Sequence, residues 1–229
     1  VVGVDTSPAL VEALNAGKSH IDDLSDSDVV TMLDAGFEAA TESSSIVEAD
    51  VIVICVPTPL SSDGIPDLSF VIGAARTVAG HLQAGCLVVL ESTTYPGTTE
   101  DVVKPVLEDG SRLKAGTDFA LAYSPERTDP GNPNYGLRNT PKVVGGLTPE
   151  CTDRAVEFYG RLVDTVVPTV GTREAELSKL LENTYRHVNI ALMNEMAVFC
   201  HELGVDLWAA IEAAKTKPFG YEAFYPGPG

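Results

Sequence analysis

VIVICV, at residues 51–56, is an unbroken apolar run made mostly of β-branched side chains. Such a run is typical of a strand buried on both faces, the environment of a central strand in a parallel sheet. Pro57-Thr58-Pro59 follows at once and ends the strand, because proline cannot donate to a sheet ladder. The stretch therefore predicts a sheet that is covered by helices on both sides.

Strands and helices alternate on either side of this run. The expected strands lie at residues 1–5, 86–90, 119–123, 142–146 and 166–170, and the expected helices at 11–15, 68–82, 98–107 and 149–162. Short β-branched runs indicate the strands, and apolar residues at three- and four-residue spacing indicate the helices. The alternation predicts an α/β fold with a doubly wound, Rossmann-like and mostly parallel sheet.

One helix is longer than a sheet of this size requires. Residues 172 to about 203 include no Gly or Pro, and apolar side chains recur at helical spacing. These are Leu177, Leu180, Leu181, Tyr185, Val188, Leu192, Met196 and Phe199. A helix of about 30 residues spans roughly 45 Å, so we expect it to bridge domains or to pair with a second subunit. Gly204 ends it, a short helix follows at 207–214, and residues 218–229 have no regular period.

Composition excludes several classes of function. The formal net charge is −18 and the 15 lysine and arginine residues are scattered, which argues against nucleic acid as a partner. No apolar run reaches the roughly 18 to 20 residues that cross a bilayer, so we expect a cytoplasmic protein without a membrane partner. Cys55, Cys86, Cys151 and Cys200 lie far apart, which predicts four buried thiols, no disulfide framework and no metal site.

Candidate ligand-binding residues follow the strands, because the ligand of a doubly wound sheet lies beyond the strands' carboxyl ends. Asp5 can bind the ribose hydroxyls of NAD there, or it can cap the next helix. Thr58 lies between two prolines, where it either contacts the cofactor or belongs to a stiff loop. Five Ser and Thr hydroxyls crowd residues 91–99, before a helix N-terminus whose free N–H groups favour an anionic or strongly polar ligand.

Two further pairs stand out. Glu126 and Arg127 follow the strand at 119–123, although an ordinary surface turn would also explain them. Lys179 and Asn183 are four residues apart on the long helix and project from one face, close to its apolar row. Burial favours the neutral form of lysine, which makes it useful as an acid or base. The alternative is a surface lysine paired with Glu182 or Glu176.

Four strings match one family in order and spacing. They are ESTTYPGTTE at 91–100, AYSPERTDPGN at 122–132, AELSKLLENTYRHVNIALMNE at 175–195 and FYPGPG at 224–229. Together they resemble the UDP-glucose/GDP-mannose 6-dehydrogenases over essentially all 229 residues. The SPERTDPGN form is most similar to the branch that oxidises UDP-N-acetylhexosamines, such as UDP-N-acetylglucosamine or UDP-N-acetylmannosamine.

The resemblance implies oxidation of the C6 alcohol of a nucleotide sugar to a carboxylate, in two hydride transfers that consume two NAD, for the synthesis of polysaccharide precursors. The first transfer needs a proton acceptor and stabilisation of the developing alkoxide. The second proceeds through a cysteine thiohemiacetal, and an activated water then hydrolyses the resulting thioester.

Residue roles follow from the same resemblance. Thr93 would hold the catalytic water and Glu126 would be the general base of thioester hydrolysis, while Lys179 and Asn183 would stabilise the oxyanion near C6. Asp5 would bind the adenosine ribose of NAD, and Thr58, Ser92 and Thr93 would line the cofactor. The expected substrate-binding residues are Arg127, Lys179, Asn183, Phe224, Tyr225 and Gly227.

The implied domains are a partial NAD-binding domain at residues 1–171 and a helical domain at 172–229, whose long helix would form a homodimer. In the family a GxGxxG turn precedes this region, whereas a nucleophilic cysteine and a third, nucleotide-binding domain follow it. We therefore expect residues 1–229 alone to be inactive and to bind NAD weakly. UDP-glucose 6-dehydrogenase, a non-catalytic dimeric scaffold, and a 3-hydroxyacid or 6-phosphogluconate type dehydrogenase are the alternatives, and the last does not carry SPERTDPGN.

Overall fold

The computed structural model describes residues 1–21, 24–129 and 132–228, so Pro130 and Gly131 of the SPERTDPGN string lie outside the described residues. The chain divides into two compact units, Val1–Glu176 and Leu177–Gly229. Every described strand belongs to the first unit. Among the described residues, no helix combines the length and the apolar character that a bilayer crossing requires.

The first unit contains the expected sheet. Five strands lie side by side in the order β3 (Val51–Ile54), β4 (Leu87–Leu90), β5 (Ala120–Tyr123), β6 (Lys142–Gly146) and β7 (Val166–Pro168). β3, β4 and β5 are parallel, β6 is antiparallel to β5, and β7 is parallel to β6. A separate parallel pair joins β1 (Val2–Val4) to β2 (Glu38–Ala40). The prediction of a mostly parallel α/β sheet is confirmed.

The prediction that residues 51–56 form a central strand buried on both faces is wrong. β3 is the edge strand of the five-stranded sheet, and Val53 is 37% exposed. The fully buried strands are β4 and β5, in which every residue is buried. A continuous apolar run is compatible with either position, because it does not reveal which neighbours the strand will have.

Helices pack against both faces of this sheet. α3 (Ser69–Ala79) and α4 (Lys104–Ser111) cover one face, and α5 (Pro149–Tyr159) covers the other. α1 (Pro8–Asn15) packs beside β2, and α2 (Asp26–Asp34) precedes β2 in the chain. Val71 and Ala75 of α3 belong to one apolar core with Val88 and Leu90, whereas Ala155 of α5 belongs to a second core. α4 is preceded by a π-helical turn over Thr98–Val103, so the helix expected at 98–107 is present but begins with wider winding.

α2 and β2 were not predicted from the sequence. α2 buries one side chain, Val29, so its apolar period is weak. Its start nevertheless has a capping box, in which Ser25 accepts from the Asp28 N–H and Asp28 accepts from the Ser25 N–H. This Ser-x-x-Asp pattern was the available sequence signal.

The long helix α6 extends over Thr172–Leu203, as predicted, and ends before Gly204, whose φ of +69° suits a residue without a side chain. α7 follows at Leu207–Lys215. The predicted apolar row of α6 is largely exposed in this chain, with Leu181 61% and Val188 58% accessible.

Two glycines in β6 allow close packing at its end. A β-carbon on Gly145 would lie 2.1 Å from the Gly171 carbonyl oxygen, and one on Gly146 would lie 2.2 Å from the Thr152 nitrogen. Real β-carbons do not approach backbone this closely. Gly145 therefore lets the residues just before α6 cross the end of β6, and Gly146 lets the first turn of α5 approach it.

Candidate active site

The loops that follow β3 and β4 are joined by two hydroxyl groups. Thr58 Oγ1 donates to the Thr93 carbonyl at 2.7 Å, and Ser92 Oγ donates to the Val56 carbonyl at 2.7 Å. Both hydroxyls therefore use their proton to fix the backbone of the neighbouring loop, and each oxygen keeps its capacity to accept. Their predicted contact with the cofactor stays a prediction.

Asp5 lies at the carboxyl end of β1 and stabilises the turn into α1. Its Oδ1 accepts from the Ser7 N–H at 2.8 Å, and Ser7 rather than Asp5 is the N-cap of α1. The capping alternative for Asp5 is therefore not observed.

Cys55, at the end of β3, is exposed, so the prediction of four buried thiols is wrong for this one. The groups packed around its thiol raise the pKa of Cys55, and the carboxylates of Glu91 and Asp5 raise it further. The effect shows that Asp5 and Glu91 lie close enough to Cys55 to act on its thiol. It also disfavours the thiolate, so Cys55 is not an activated nucleophile.

The hydroxyl-rich segment at 91–99 was expected to offer free N–H groups to a ligand, but two of its N–H groups are already bound within the chain. The fully buried carboxylate of Glu176 accepts from the Gly97 N–H at 2.6 Å, the Thr99 N–H at 2.8 Å and Thr99 Oγ1 at 2.7 Å. Burial raises the pKa of Glu176, while the hydrogen bonds from Thr99 and Gly97 oppose that rise. The anion at this helix N-terminus thus comes from the chain itself.

Thr93 differs from the other hydroxyl residues of this segment. Four of the five are buried, namely Ser92, Thr94, Thr98 and Thr99, and Thr93 is exposed. Within residues 91–99, Thr93 is therefore the aliphatic hydroxyl that a water or ligand can reach, which is the position that its predicted role requires.

Glu126 follows β5 and its two oxygens have different partners. Oε1 accepts from the backbone N–H groups of Arg127 at 2.7 Å and Thr128 at 2.6 Å, and Oε2 accepts from Lys142 Nζ at 3.3 Å. Burial acts to raise the pKa of Glu126, but the hydrogen bonds from Thr128 and Arg127 and the charge of Lys142 together hold it below its ordinary value. The carboxylate is thus ionised at neutral pH.

Lys142 was missed as a site residue. It was assigned only to a strand, yet its ammonium group is buried and forms ion pairs with Glu91 at 3.1 Å and Glu126 at 3.3 Å. A lysine at the start of an otherwise buried strand was the available signal, because buried lysines are rare unless paired.

The other predicted catalytic residues lie in the second unit. Lys179 and Asn183 are both half-buried on α6, and Asn183 Oδ1 accepts from Arg186 Nη2 at 3.1 Å. Thr93 and Glu126 belong to the first unit. The convergence of both pairs on one pocket stays a prediction.

The predicted substrate segment is held in place within the second unit. The Tyr225 ring stacks on Trp208 with centroids 5.7 Å apart, and its hydroxyl donates to Glu212 at 2.6 Å. Phe224 contacts the Tyr185 ring edge-on at 5.6 Å. The segment after α7 is therefore ordered although it has no regular secondary structure.

Asn194 of α6 binds the backbone of Gly227 through both ends of its amide. Its Nδ2 donates to the Gly227 carbonyl at 2.8 Å, and its Oδ1 accepts from the Gly227 N–H at 2.9 Å. Pro226 and Pro228 flank Gly227 and have no N–H, so the backbone donor of this tripeptide is the Gly227 N–H, and Asn194 accepts from it.

Asn194→Ala is expected to speed hydrogen exchange of the Gly227 amide about five- to tenfold, the effect of losing one or two net hydrogen bonds. The matched control is Asn189→Ala, which removes an amide that donates to the Tyr185 carbonyl within α6. NMR exchange of the Gly227 signal measures both. Equal exchange in the parent and Asn194→Ala would show that the amide contact does not hold the segment.

Comparison with known proteins adds two family matches. Residues 1–163 match the NAD binding domain of the UDP-glucose/GDP-mannose dehydrogenase family, and residues 173–229 match its central domain. The match to an NAD binding domain confirms the predicted cofactor.

Individual relatives are similar over the whole chain. The UDP-N-acetyl-D-mannosamine dehydrogenase of Escherichia coli K12 is 38% identical over 100% of this chain and 56% of its own length. A solved UDP-D-ManNAc dehydrogenase from Pyrococcus horikoshii has a TM-score of 0.94 at 38% identity, covering 100% of this chain and 55% of that one. A GDP-mannose dehydrogenase from Pseudomonas aeruginosa has a TM-score of 0.86 at 27% identity, covering 95% and 51%. The chain spans about half the length of the curated relatives it matches.

Proposed function

The chain belongs to the UDP-glucose/GDP-mannose dehydrogenase family, and from this premise we propose that it serves the NAD-dependent oxidation of a UDP-N-acetylhexosamine at C6 to the uronic acid. The branch is supported by the similarity to UDP-N-acetyl-D-mannosamine dehydrogenases. NAD, when bound, supplies the hydride acceptor for both oxidation steps. Asp5 fits a ribose contact, since it directly follows β1 at the carboxyl end of a strand in the segment that matches the NAD binding domain.

One observation carries the proposal. Leu90 of β4 and Tyr123 of β5 lie opposite each other on parallel strands. Thr93 lies three residues after Leu90, and Glu126 lies three residues after Tyr123. An accessible hydroxyl and an ionised carboxylate thus leave adjacent strands at the same level, in the region where doubly wound sheets bind ligands.

These two side chains suit the hydrolytic step. The Thr93 hydroxyl would orient a water molecule, and the Glu126 carboxylate would accept its proton as the water attacks a thioester. The low pKa of Glu126 keeps it in the proton-accepting form at neutral pH. The nucleophilic cysteine of that thioester is not Cys55, whose raised pKa disfavours the thiolate.

Lys179 and Asn183 would serve the oxidation of the alcohol. An ammonium and an amide N–H group placed at the C6 oxygen would stabilise negative charge as the hydride leaves, and the lysine would also transfer a proton. Arg127, Phe224, Tyr225 and Gly227 would contact the sugar nucleotide. Residues 1–171 would hold the cofactor, and 172–229 would complete the substrate site and form the homodimer. The exposed Leu181 and Val188 of α6 support that dimer surface.

The substrate class can be tested in a chimera in which residues 1–229 replace the matching segment of the Escherichia coli relative. We expect NADH to form with UDP-N-acetylmannosamine or UDP-N-acetylglucosamine, two molecules per sugar, and much more slowly with UDP-glucose. The readout is NADH absorbance with each sugar, and the unaltered Escherichia coli enzyme is the positive control.

The alternatives give different results in the same assay. Turnover of UDP-glucose alone would show that the branch assignment is wrong. A chimera that melts cooperatively and dimerises, but does not reduce NAD with any of the three sugars, would favour a non-catalytic scaffold.

A further inference from the structure

The first residues of the loop that contains Glu126 are attached to the start of β6. Three consecutive residues of the β6 side, 141–143, each bind a residue of the loop after β5. The contacts are Ser124 Oγ to the Val143 carbonyl at 2.8 Å, Lys142 Nζ to Glu126 at 3.3 Å, and Arg127 Nη1 to the Pro141 carbonyl at 2.7 Å. Among these contacts, the one from Lys142 joins two opposite charges.

Lys142 also contacts a second carboxylate, from the neighbouring strand end. Its Nζ lies 3.1 Å from Glu91 Oε1, directly after β4, and 5.2 Å from the centroid of the Tyr159 ring. The Tyr159 hydroxyl donates to the same Glu91 oxygen. The lysine is only 5% exposed, so one buried cation stands between the carboxylates that follow β4 and β5.

The surroundings strengthen these charge interactions. Glu91, Lys142 and Tyr159 line a cavity of about 220 Å³ whose other walls include Leu137, Phe158 and Leu162. The ammonium group is itself buried, so removing this cation would leave the carboxylates of Glu91 and Glu126 without their shared counter-charge. The titratable groups that face this cation are Glu91, Glu126 and Tyr159, with Cys55 beside Glu91.

We propose that Lys142 is a positioning residue for Glu126. The lysine fixes Oε2 of Glu126, while the backbone N–H groups of Arg127 and Thr128 fix Oε1. The lysine also keeps this carboxylate ionised beside Glu91. Glu91 competes for the same ammonium group and so limits the effect. The inference rests on the proposed function for the meaning of Glu126, but its main test does not require turnover.

The test follows the titration of Glu126 by NMR of the glutamate side-chain carbonyl carbons in the 229-residue chain, with Glu126→Gln used for assignment. Lys142→Met is expected to raise the pKa of Glu126 by about one unit or more, the usual effect of losing an opposite charge in contact. Lys142→Arg should keep the low value, since it retains the charge.

Two further variants serve as controls. Lys18→Met removes an exposed lysine that pairs with Asp26, and it should leave the Glu126 titration unchanged. Glu91→Gln releases Lys142 from its competitor and should lower the pKa of Glu126 further, the opposite direction to Lys142→Met. An unchanged Glu126 titration in a folded Lys142→Met protein would overturn the proposal. If Lys142→Met does not fold, Glu91→Gln decides, and an unchanged or raised pKa in that variant overturns it.

A kinetic measurement links the result to catalysis. In the chimera described above, Lys142→Gln is expected to move the acid limb of the pH profile of kcat to higher pH, while Lys142→Arg leaves it in place. A merely structural lysine would lower the amount of folded enzyme without moving that limb. Loss of the proposed function would appear as no turnover in the parent chimera, which the NMR titration does not depend on.

Discussion

Lys179→Ala is expected to lower kcat at least about a hundredfold in the chimera, because an ammonium group that stabilises a developing oxyanion typically contributes that much to the rate. The charge on the C6 oxygen exists only in the transition state. The loss should therefore appear in kcat and in kcat/KM, with little change in the KM for the UDP-sugar. Steady-state rates with UDP-N-acetylmannosamine and saturating NAD measure both constants.

Three companion variants separate this role from a general effect of mutating the second unit. Lys217→Ala removes a lysine that lies beside Phe219, outside the proposed machinery, and should keep the parent rate. Lys179→Arg retains the positive charge on a group of different shape, so its kcat should lie between those of the parent and Lys179→Ala. Asn183→Ala should cost less than Lys179→Ala, since an amide carries no net charge. A Lys179→Ala chimera with unchanged kinetics would make Lys179 an ordinary surface lysine.

The fold was predictable where the signal is local. Alternating apolar runs predicted β4, β5 and the doubly wound arrangement, and the absence of Gly and Pro from 172 to 203 predicted α6. The position of β3 at the sheet edge was not predictable, because it depends on which strands pair and not on the strand's own residues. α2 escaped for a related reason, since a helix that buries one valine has hardly any apolar period.

The candidate site was predictable in part. The strand-end rule selected the segment at 91–99 and Glu126, the family resemblance chose Thr93 within that segment, and the structure places both residues beyond adjacent parallel strands. The strand-end rule could not reveal Lys142 or Glu176, because their importance comes from partners far away in sequence. Glu176 binds the Gly97 N–H across 79 positions, and no pattern around residue 176 indicates that contact. The prediction of a free helix N-terminus near residue 98 was wrong for the same reason.

Glu176→Met is expected to lower the free energy of unfolding of the first unit by about 3 to 5 kcal/mol, because three buried donors lose their acceptor and each costs about 1 to 3 kcal/mol. Methionine has a similar length but cannot accept well, and it leaves no space for a replacement water. The donors are the Gly97 N–H, the Thr99 N–H and the Thr99 hydroxyl. Urea unfolding followed by circular dichroism measures the loss. Fluorescence is unsuitable, because the single tryptophan, Trp208, lies in the second unit.

The size and pH dependence of that loss distinguish a buried acceptor from an ordinary helix glutamate. Glu174→Met makes the same substitution two residues earlier, at an exposed position, and should cost less than about 1 kcal/mol. Burial raises the pKa of Glu176 above its ordinary value of 4.5, so the folded state holds this proton to higher pH than the unfolded chain does. The stability that Glu176 contributes is then fully present below pH 4.5 and declines as pH rises through its folded pKa. The difference in free energy of unfolding between the parent and Glu176→Met should therefore become smaller from acid to neutral buffer. A difference that grows instead would mean that the hydrogen bonds from Gly97 and Thr99 outweigh the cost of burying the charge.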